Sequence, residues 1–284
     1  VLSYQHGFHA GNFADVHKHM ILALMLEALN VKEKPWSYLE THGGSALYDL
    51  TDEQAQKTGE FLGGISKLWD KKDLPEAFRT YIKQVQAVNQ DTDDQGVKLR
   101  FYPGSPSIAA MMSRDSDHLA IMELHPAEYQ RVKQHFRGQS QVAVHHRDGY
   151  EGVLSMMPPK PNRGLVLIDP SYEVKTEYQQ VAKFIKQIYG RWPNASVAIW
   201  YPILRAGHHK EMIDKIAGSG IRKIYQSELF VQDSGSERMF GSGMLLINPP
   251  WQLDQKIASV IPWLYQALAQ PTAAEPQGTW LVPE

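Results

Sequence analysis

Val166-Leu167-Ile168-Asp169-Pro170-Ser171-Tyr172 is an apolar run that stops at an acid, a proline and an aromatic residue. Consecutive aliphatic residues read as a strand buried on both faces, and a proline directly after them ends it. In open α/β sheets, ligands bind just beyond the carboxyl ends of the strands. Asp169 then offers a carboxylate at that edge, Pro170 a backbone carbonyl on a stiff turn, and Tyr172 an aromatic face. A plain strand followed by a proline turn has the same letters, so the rest of the chain must decide between the two.

The flanking pattern favours the sheet. Residues 36–41 read as a first strand, followed at once by His42-Gly43-Gly44-Ser45. Residues 119–122 end at Glu123, residues 142–144 end near Asp148, and residues 165–168 end at Asp169. Residues 197–200, 224–230 and 244–248 complete seven expected strands, with helical patterns such as 177–189 between them. Such alternation predicts an α/β fold: a Rossmann-like, doubly wound, mostly parallel sheet. Residues 15–29 read as an amphipathic helix that Asp15 can cap, with Val16, Met20, Leu24 and Ala28 at helical spacing. The gap between the first two strands is much longer than a usual crossover, so residues 51–98 are predicted to be a helical insertion, broken into two helices by Pro75. Residues 1–50 and 99–284 would form the main domain. The insertion ends in a polar loop, 89–96, with three aspartates, and the tail from 271 to 278 is predicted to be loosely held.

Composition excludes several classes. The 284 residues are 43% hydrophobic, enough for a sizeable core, yet no run approaches a membrane span. There are no cysteines, which rules out disulfides and thiolate chemistry; together with a polar N-terminus lacking a signal-peptide pattern, this predicts a cytoplasmic protein. A net charge of -2 argues against a basic coat but not against a local basic groove. His17 and His19 are two residues apart, which splits them across a helix, so no metal is expected.

The acids form an ordered set. Glu40, Glu123, Asp148 and Asp169 all fall at the same sheet edge. An acid after the second strand is placed for ribose hydroxyls, and one after the third for an adenine amino group. The Gly43-Gly44 turn lets backbone approach a ligand closely. Without a second phosphate signature, this pocket suits S-adenosylmethionine better than a dinucleotide. Ser105, near the N-terminus of a helix begun by Pro103-Gly104-Ser105-Pro106, is a further candidate contact, or simply a helix cap. Singly, each acid is as readily a cap or a solvated strand end; the ordered set favours the pocket.

An Asp-Pro-x-Tyr turn beside such a pocket suits methyl transfer to an exocyclic amine. The N6 lone pair of adenine is delocalised into the ring, so the amine is a weak nucleophile. A carboxylate and a rigid carbonyl that accept both of its N–H groups hold it and favour the positive charge developing on it. A neighbouring Tyr offers a stacking face for a flipped base. Asn248-Pro249-Pro250-Trp251 is a rival by letters, but if its strand is antiparallel, its end faces away from the cofactor edge.

The N-terminal block Val1-Leu2-Ser3-Tyr4-Gln5-His6-Gly7-Phe8-His9-Ala10-Gly11-Asn12-Phe13-Ala14-Asp15-Val16-His17-Lys18-His19 closely resembles the RlmJ family of bacterial large-subunit (23S) ribosomal RNA adenine-N6 methyltransferases. Tyr38-Leu39-Glu40-Thr41-His42-Gly43-Gly44, Tyr102-Pro103-Gly104-Ser105-Pro106, Arg147-Asp148-Gly149 and Leu167-Ile168-Asp169-Pro170 carry the likeness along the chain. The resemblance implies a Rossmann-like methyltransferase domain with a small helical insertion. It implies that His19, His42, Gly43, Ser105, Glu123, Asp148, Gly149 and Asp169 line the S-adenosylmethionine pocket. By it, Asp169, Pro170 and Tyr172 carry the chemistry, Tyr4 sits near the target base, and Lys18 contacts a phosphate or the cofactor. The expected partner is ribosomal RNA, protein-free or early in assembly, gripped by the insertion and the N-terminal segment with Lys18 and Arg100 as candidates; the protein is expected to be a monomer. Two departures stand out. Ser171 replaces a usual second proline, and Ser45-Ala46 stands where a further glycine is usual. DNA adenine, a protein glutamine amide, or non-enzymatic nucleic-acid binding linked to use of external DNA are the alternatives.

Overall fold

The computed structural model describes residues 4–90, 92–93 and 96–284. Residues 1–3 of the N-terminal block, and Asp91 and Asp94 of the polar loop, lie outside them. An eight-stranded sheet runs through the molecule. Its strands, in chain order, are β1 (Ser37–Glu40), β2 (His118–Met122), β3 (Val142–His145), β4 (Gly164–Ile168), β5 (Ser196–Ile203), β6 (Ile224–Phe230), β7 (Gly241–Ile247) and β8 (Gln277–Val282). Across the sheet they lie in the order β3-β2-β1-β4-β5-β7-β6-β8.

Strands β1 to β5 pair in parallel, with Leu39 opposite Ala120 on one side and Val166 on the other. β7 is antiparallel to both β5 and β6. This is the expected Rossmann-like α/β architecture. The order reverses between β1 and β4, so the crevice for a ligand opens where Glu40 and Asp169 end their strands. Because β7 is antiparallel, Asn248 leaves the sheet at the opposite edge, and the rival motif is remote from the crevice. Trp251 of that motif is exposed.

The strand count is eight rather than seven. The added strand, β8, begins at the last two residues of the tail expected to be loose, with Gly278 paired opposite Ser227, and runs on to Val282. Just before it, the Ala273 carbonyl accepts a hydrogen bond from the Tyr265 hydroxyl at 2.9 Å. The apolar run of β8, Trp280-Leu281-Val282, is only three residues long, so only its pairing with β6 makes it a strand.

Helices cover both faces. One face carries α1 (Phe13–Asn30), with α3 (Glu76–Ala87), α4 (Ser105–Met112) and α9 (Leu253–Leu268) around it; α2 (Glu53–Thr58) and α5 (Pro126–His135) lie further out. The other carries α6 (Gly149–Ser155), α7 (Thr176–Arg191) and α8 (His208–Ala217). Strand side chains alternate between the two cores: Leu165 and Leu167 enter the first, Val166 and Ile168 the second.

Two expectations for α1 are corrected. Its cap is Asn12, whose side chain accepts the Asp15 N–H at 2.9 Å; Asp15 lies inside the first turn. The helix is also not amphipathic. Every residue from Ala14 to Leu26 is buried, because the sheet covers one side and α3, α4 and α9 cover the rest. Residues Phe78, Tyr81, Ile82 and Val85 of α3 join this same core, so α3 packs directly on α1. Among the described residues, no helix is long and apolar enough to cross a membrane.

Candidate active site

The N-terminal end of α1 points its polar residues at the crevice. Asp15, Lys18 and His19 share one helix face by their i, i+3 and i+4 spacing. The Lys18 ammonium lies 3.0 Å from Asp15 Oδ1 and 2.5 Å from Asp169 Oδ2. Burial works against its charge, but the two carboxylates outweigh that and hold its pKa above the usual lysine value. Burial likewise opposes the charge of Asp15; His6 and Lys18 more than compensate and hold its pKa well below the usual range. Asp15 Oδ2 accepts the Gly11 N–H at 2.9 Å and contacts His6 Nε2 at 2.8 Å. His6 Nδ1 in turn meets the Tyr4 hydroxyl at 2.9 Å. Tyr4 stacks on His9, which is held by Glu60 at 3.0 Å.

Asp169 begins a turn fixed from several sides. Tyr172 adopts a left-handed backbone, φ 54°, which costs a non-glycine residue about 1 kcal/mol. Its N–H donates to Glu177 Oε2 and its hydroxyl to the Trp200 carbonyl, each at 2.8 Å. These anchors constrain the turn at the point where Ser171 removes a proline. They also place the Tyr172 ring against Tyr178, with centroids 4.3 Å apart, and leave it 6% exposed. The ring borders the cavity, but little of its face is free for stacking.

A cavity of about 450 Å³ lies over these strand ends, within the usual size range for small-molecule sites. Its lining brings together Tyr4, Lys18, His19, His42, Gly43, Ser105, Glu123, Asp148, Gly149, Asp169, Pro170 and Tyr172; Glu40, the remaining acid of the ordered set, is buried behind it, and Arg100 lies elsewhere. Glu123 holds the first-strand loop by accepting Gly44 N–H at 2.8 Å and His125 N–H at 2.7 Å. Gly44 is left-handed, and a Cβ there would meet the Tyr48 hydroxyl at 2.3 Å. Asp148 caps α6 through the Glu151 N–H at 3.0 Å. A Cβ on Gly149 would lie 2.0 Å from the Thr41 carbonyl oxygen, so α6 starts in direct contact with the end of β1. Burial lowers His42 to about 4 and leaves it neutral.

Among the described residues, His19 Nε2, Glu40 Oε2 and the Tyr150 hydroxyl are buried near these strand ends and make no hydrogen bond, although His19 Nε2 lies 4.0 Å from Asp15 Oδ1. Buried polar atoms are normally satisfied, so they mark where a polar ligand fits. With acids at two strand ends and a glycine cradle between them, they suit an adenosyl group with an aminoacyl arm.

Two expectations change. Lys18 is no phosphate ligand: it is buried and committed to two carboxylates. Ser105 is not the cap of α4, which is Gly104; its hydroxyl donates to Glu40 instead. His17 is wholly enclosed between Ser242 and Ser227, while His19, enclosed against Tyr102, borders the cavity. Arg100 is exposed and forked onto Asp49. Among the described residues, no three His, Cys, Asp or Glu side chains converge as metal ligands. Asp15 and His6 were missed as site residues, although the Asp15–Lys18–His19 spacing was a visible signal.

Residues 33–282 match the family described as ribosomal RNA large subunit methyltransferase D, RlmJ. The chain belongs to this family. It is similar to the ribosomal RNA large subunit methyltransferase J of Escherichia coli K12, with 43% identity over 285 residues and 100% of both chains covered. The protein of the same description from Haemophilus influenzae is 42% identical, again with 100% of both covered. A crystal structure of a Legionella pneumophila protein superimposes with a TM-score of 0.88 at 34% identity, covering 96% of this chain and 98% of that one. The resemblance read from the N-terminal block thus holds across the whole chain. Membership makes the chain a methyltransferase that uses S-adenosylmethionine as methyl donor.

Proposed function

We propose that this enzyme methylates the exocyclic N6 amine of an adenine in 23S ribosomal RNA. The observation that carries the reading is the Asp169-Pro170 turn at the cavity wall, with one carboxylate oxygen held by buried Lys18. Oδ2 is thereby fixed, and Oδ1 is left to accept one N6 hydrogen. The Pro170 carbonyl accepts the other. Both hydrogen bonds strengthen as the amine becomes positive, so they stabilise the transition state more than the bound substrate. When bound, S-adenosylmethionine supplies an electrophilic methyl group on its sulfonium. Glu123 would hold the ribose, Asp148 and Gly149 the adenine, and His19, Gly43 and Ser105 the aminoacyl end; His42 borders the same cavity. Tyr4 would flank the target base, and the extra proton of the methylated amine would leave to solvent. A ribosomal RNA substrate also places the protein in the cytoplasm.

The test is transfer of labelled methyl groups to protein-free 23S RNA from cells lacking the enzyme, with matched DNA and cell protein as controls. N6-methyladenosine in RNA alone, lost at least 100-fold in Asp169→Ala while cofactor binding persists, is the expected result. Label in DNA or protein instead, or an undiminished Asp169→Ala enzyme, would overturn it.

A further inference from the structure

Asp15 is a buried carboxylate with two working oxygens that face different partners. Oδ1 takes the Lys18 ammonium at 3.0 Å, and Lys18 takes Asp169. Oδ2 contacts His6 Nε2 at 2.8 Å, and His6 Nδ1 reaches Tyr4 at 2.9 Å. The Gly11 N–H, also on Oδ2, fixes the rotation of the carboxylate.

A carboxylate only accepts hydrogen bonds, so a neutral His6 must carry its proton on Nε2. Nδ1 is then an acceptor, and the Tyr4 O–H must point to it, leaving its oxygen lone pairs for other groups. On the other side, Asp15 shares the charge of Lys18. Alone with Lys18, Asp169 would form a closed one-to-one pair and be a weaker acceptor for an amine. With Lys18 divided between two carboxylates, Asp169 keeps net negative charge.

We propose that Asp15 is a positioning residue that orders both halves of the acceptor site at once, setting the His6 tautomer that aims Tyr4 and dividing Lys18 so that Asp169 remains an acceptor. The proposal rests on Asp169 being the acceptor carboxylate.

Asp15→Asn separates the possibilities. Its one amide oxygen is expected to stay on Lys18, because an NH2 against the ammonium costs more than an NH2 against the neutral Gly11 N–H. Its NH2 then donates to His6 Nε2, forcing the proton to Nδ1 and reversing the Tyr4 hydroxyl. Nitrogen NMR of imidazole-labelled protein, read at a pH where the His6 ring is neutral, should show His6 as the Nε2–H tautomer in the wild type and Nδ1–H in Asp15→Asn. kcat on ribosomal RNA should fall at least about tenfold, while S-adenosylmethionine affinity stays within about twofold. In a Tyr4→Phe background the Asp15→Asn loss should shrink, since the two act on one group.

An unchanged tautomer, a tautomer shift with kcat intact, or equal losses in kcat and cofactor binding would each sink the proposal. If Asp15→Asn does not fold, the wild type decides: Nδ1–H at His6 refutes it. The tautomer is read without turnover, so an absence of methyl transfer to RNA would count against the proposed function and leave this measurement standing.

Discussion

The Lys18 ammonium stands 2.5 Å from Asp169 Oδ2, joining helix α1 to the end of β4 inside the protein. Breaking a buried pair by removing one partner costs about 3–5 kcal/mol, because the other charge is left uncompensated. Lys18→Met leaves two such carboxylates, Asp15 and Asp169. Urea denaturation should therefore show a loss of this size, and adding Asp15→Asn should recover part of it. A loss below about 1 kcal/mol would mean the ion pairs are readily hydrated.

Gly149 starts α6 against the Thr41 carbonyl, where a Cβ would lie 2.0 Å away. Backbone cannot retreat as a side chain can, so Gly149→Ala must shift α6 from β1. Overpacking of this kind costs about 1–3 kcal/mol. The same shift moves Asp148 at the cavity rim. Calorimetric titration should find S-adenosylmethionine affinity reduced at least about tenfold in Gly149→Ala; unchanged affinity would place the cofactor elsewhere.

Burial pushes the Glu40 carboxyl up to about 8, with Ser105 only partly offsetting it. The unfolded chain would titrate this group at about 4.3. The folded state therefore binds the proton more tightly. This contribution is complete below about pH 4.3 and is lost as pH rises through 8. Glu40→Gln carries no such titration. Denaturation midpoints at pH 5 and 9 should show the wild type losing stability relative to Glu40→Gln, and a parallel pair of profiles would contradict the shift.

His9 and Glu60 tie the N-terminal segment to the turn that follows α2. The hydrogen bond to Glu60 is the main cause that raises His9 above the usual imidazole value, and burial only partly opposes it. That tie is fully present below about pH 6.5 and weakens as pH rises through the raised value. Both groups are partly exposed, so the effect is local rather than global. Hydrogen exchange of residues 4–12, corrected for intrinsic rates, should quicken between pH 6 and 9 in the wild type. Glu60→Gln should abolish that dependence.

The strands were legible because their signal is local: an apolar run, a terminating acid or proline, and helical spacing before the next. The positions of Glu123, Asp148 and Asp169 followed from that reading together with the topology of parallel sheets. β8 was not legible. Its apolar stretch is just Trp280-Leu281-Val282, too short to announce a strand alone, and Gly278 and Trp280 are placed by their partners Ser227 and Tyr225. The all-round burial of α1 was also hidden, since its covering helices come from residues far away in the chain.

By itself, the sequence determined the α/β class, the edge where the acids gather, and membership in a methyltransferase family through its N-terminal block. Only the tertiary structure decided what those residues do to one another. Lys18 and Asp169 are 151 positions apart, and no periodicity reports whether a lysine faces solvent or a carboxylate. Charge, burial and hydrogen-bond partner are set by the chain segments that close around a group, and those meet only when the sheet and α1 pack together.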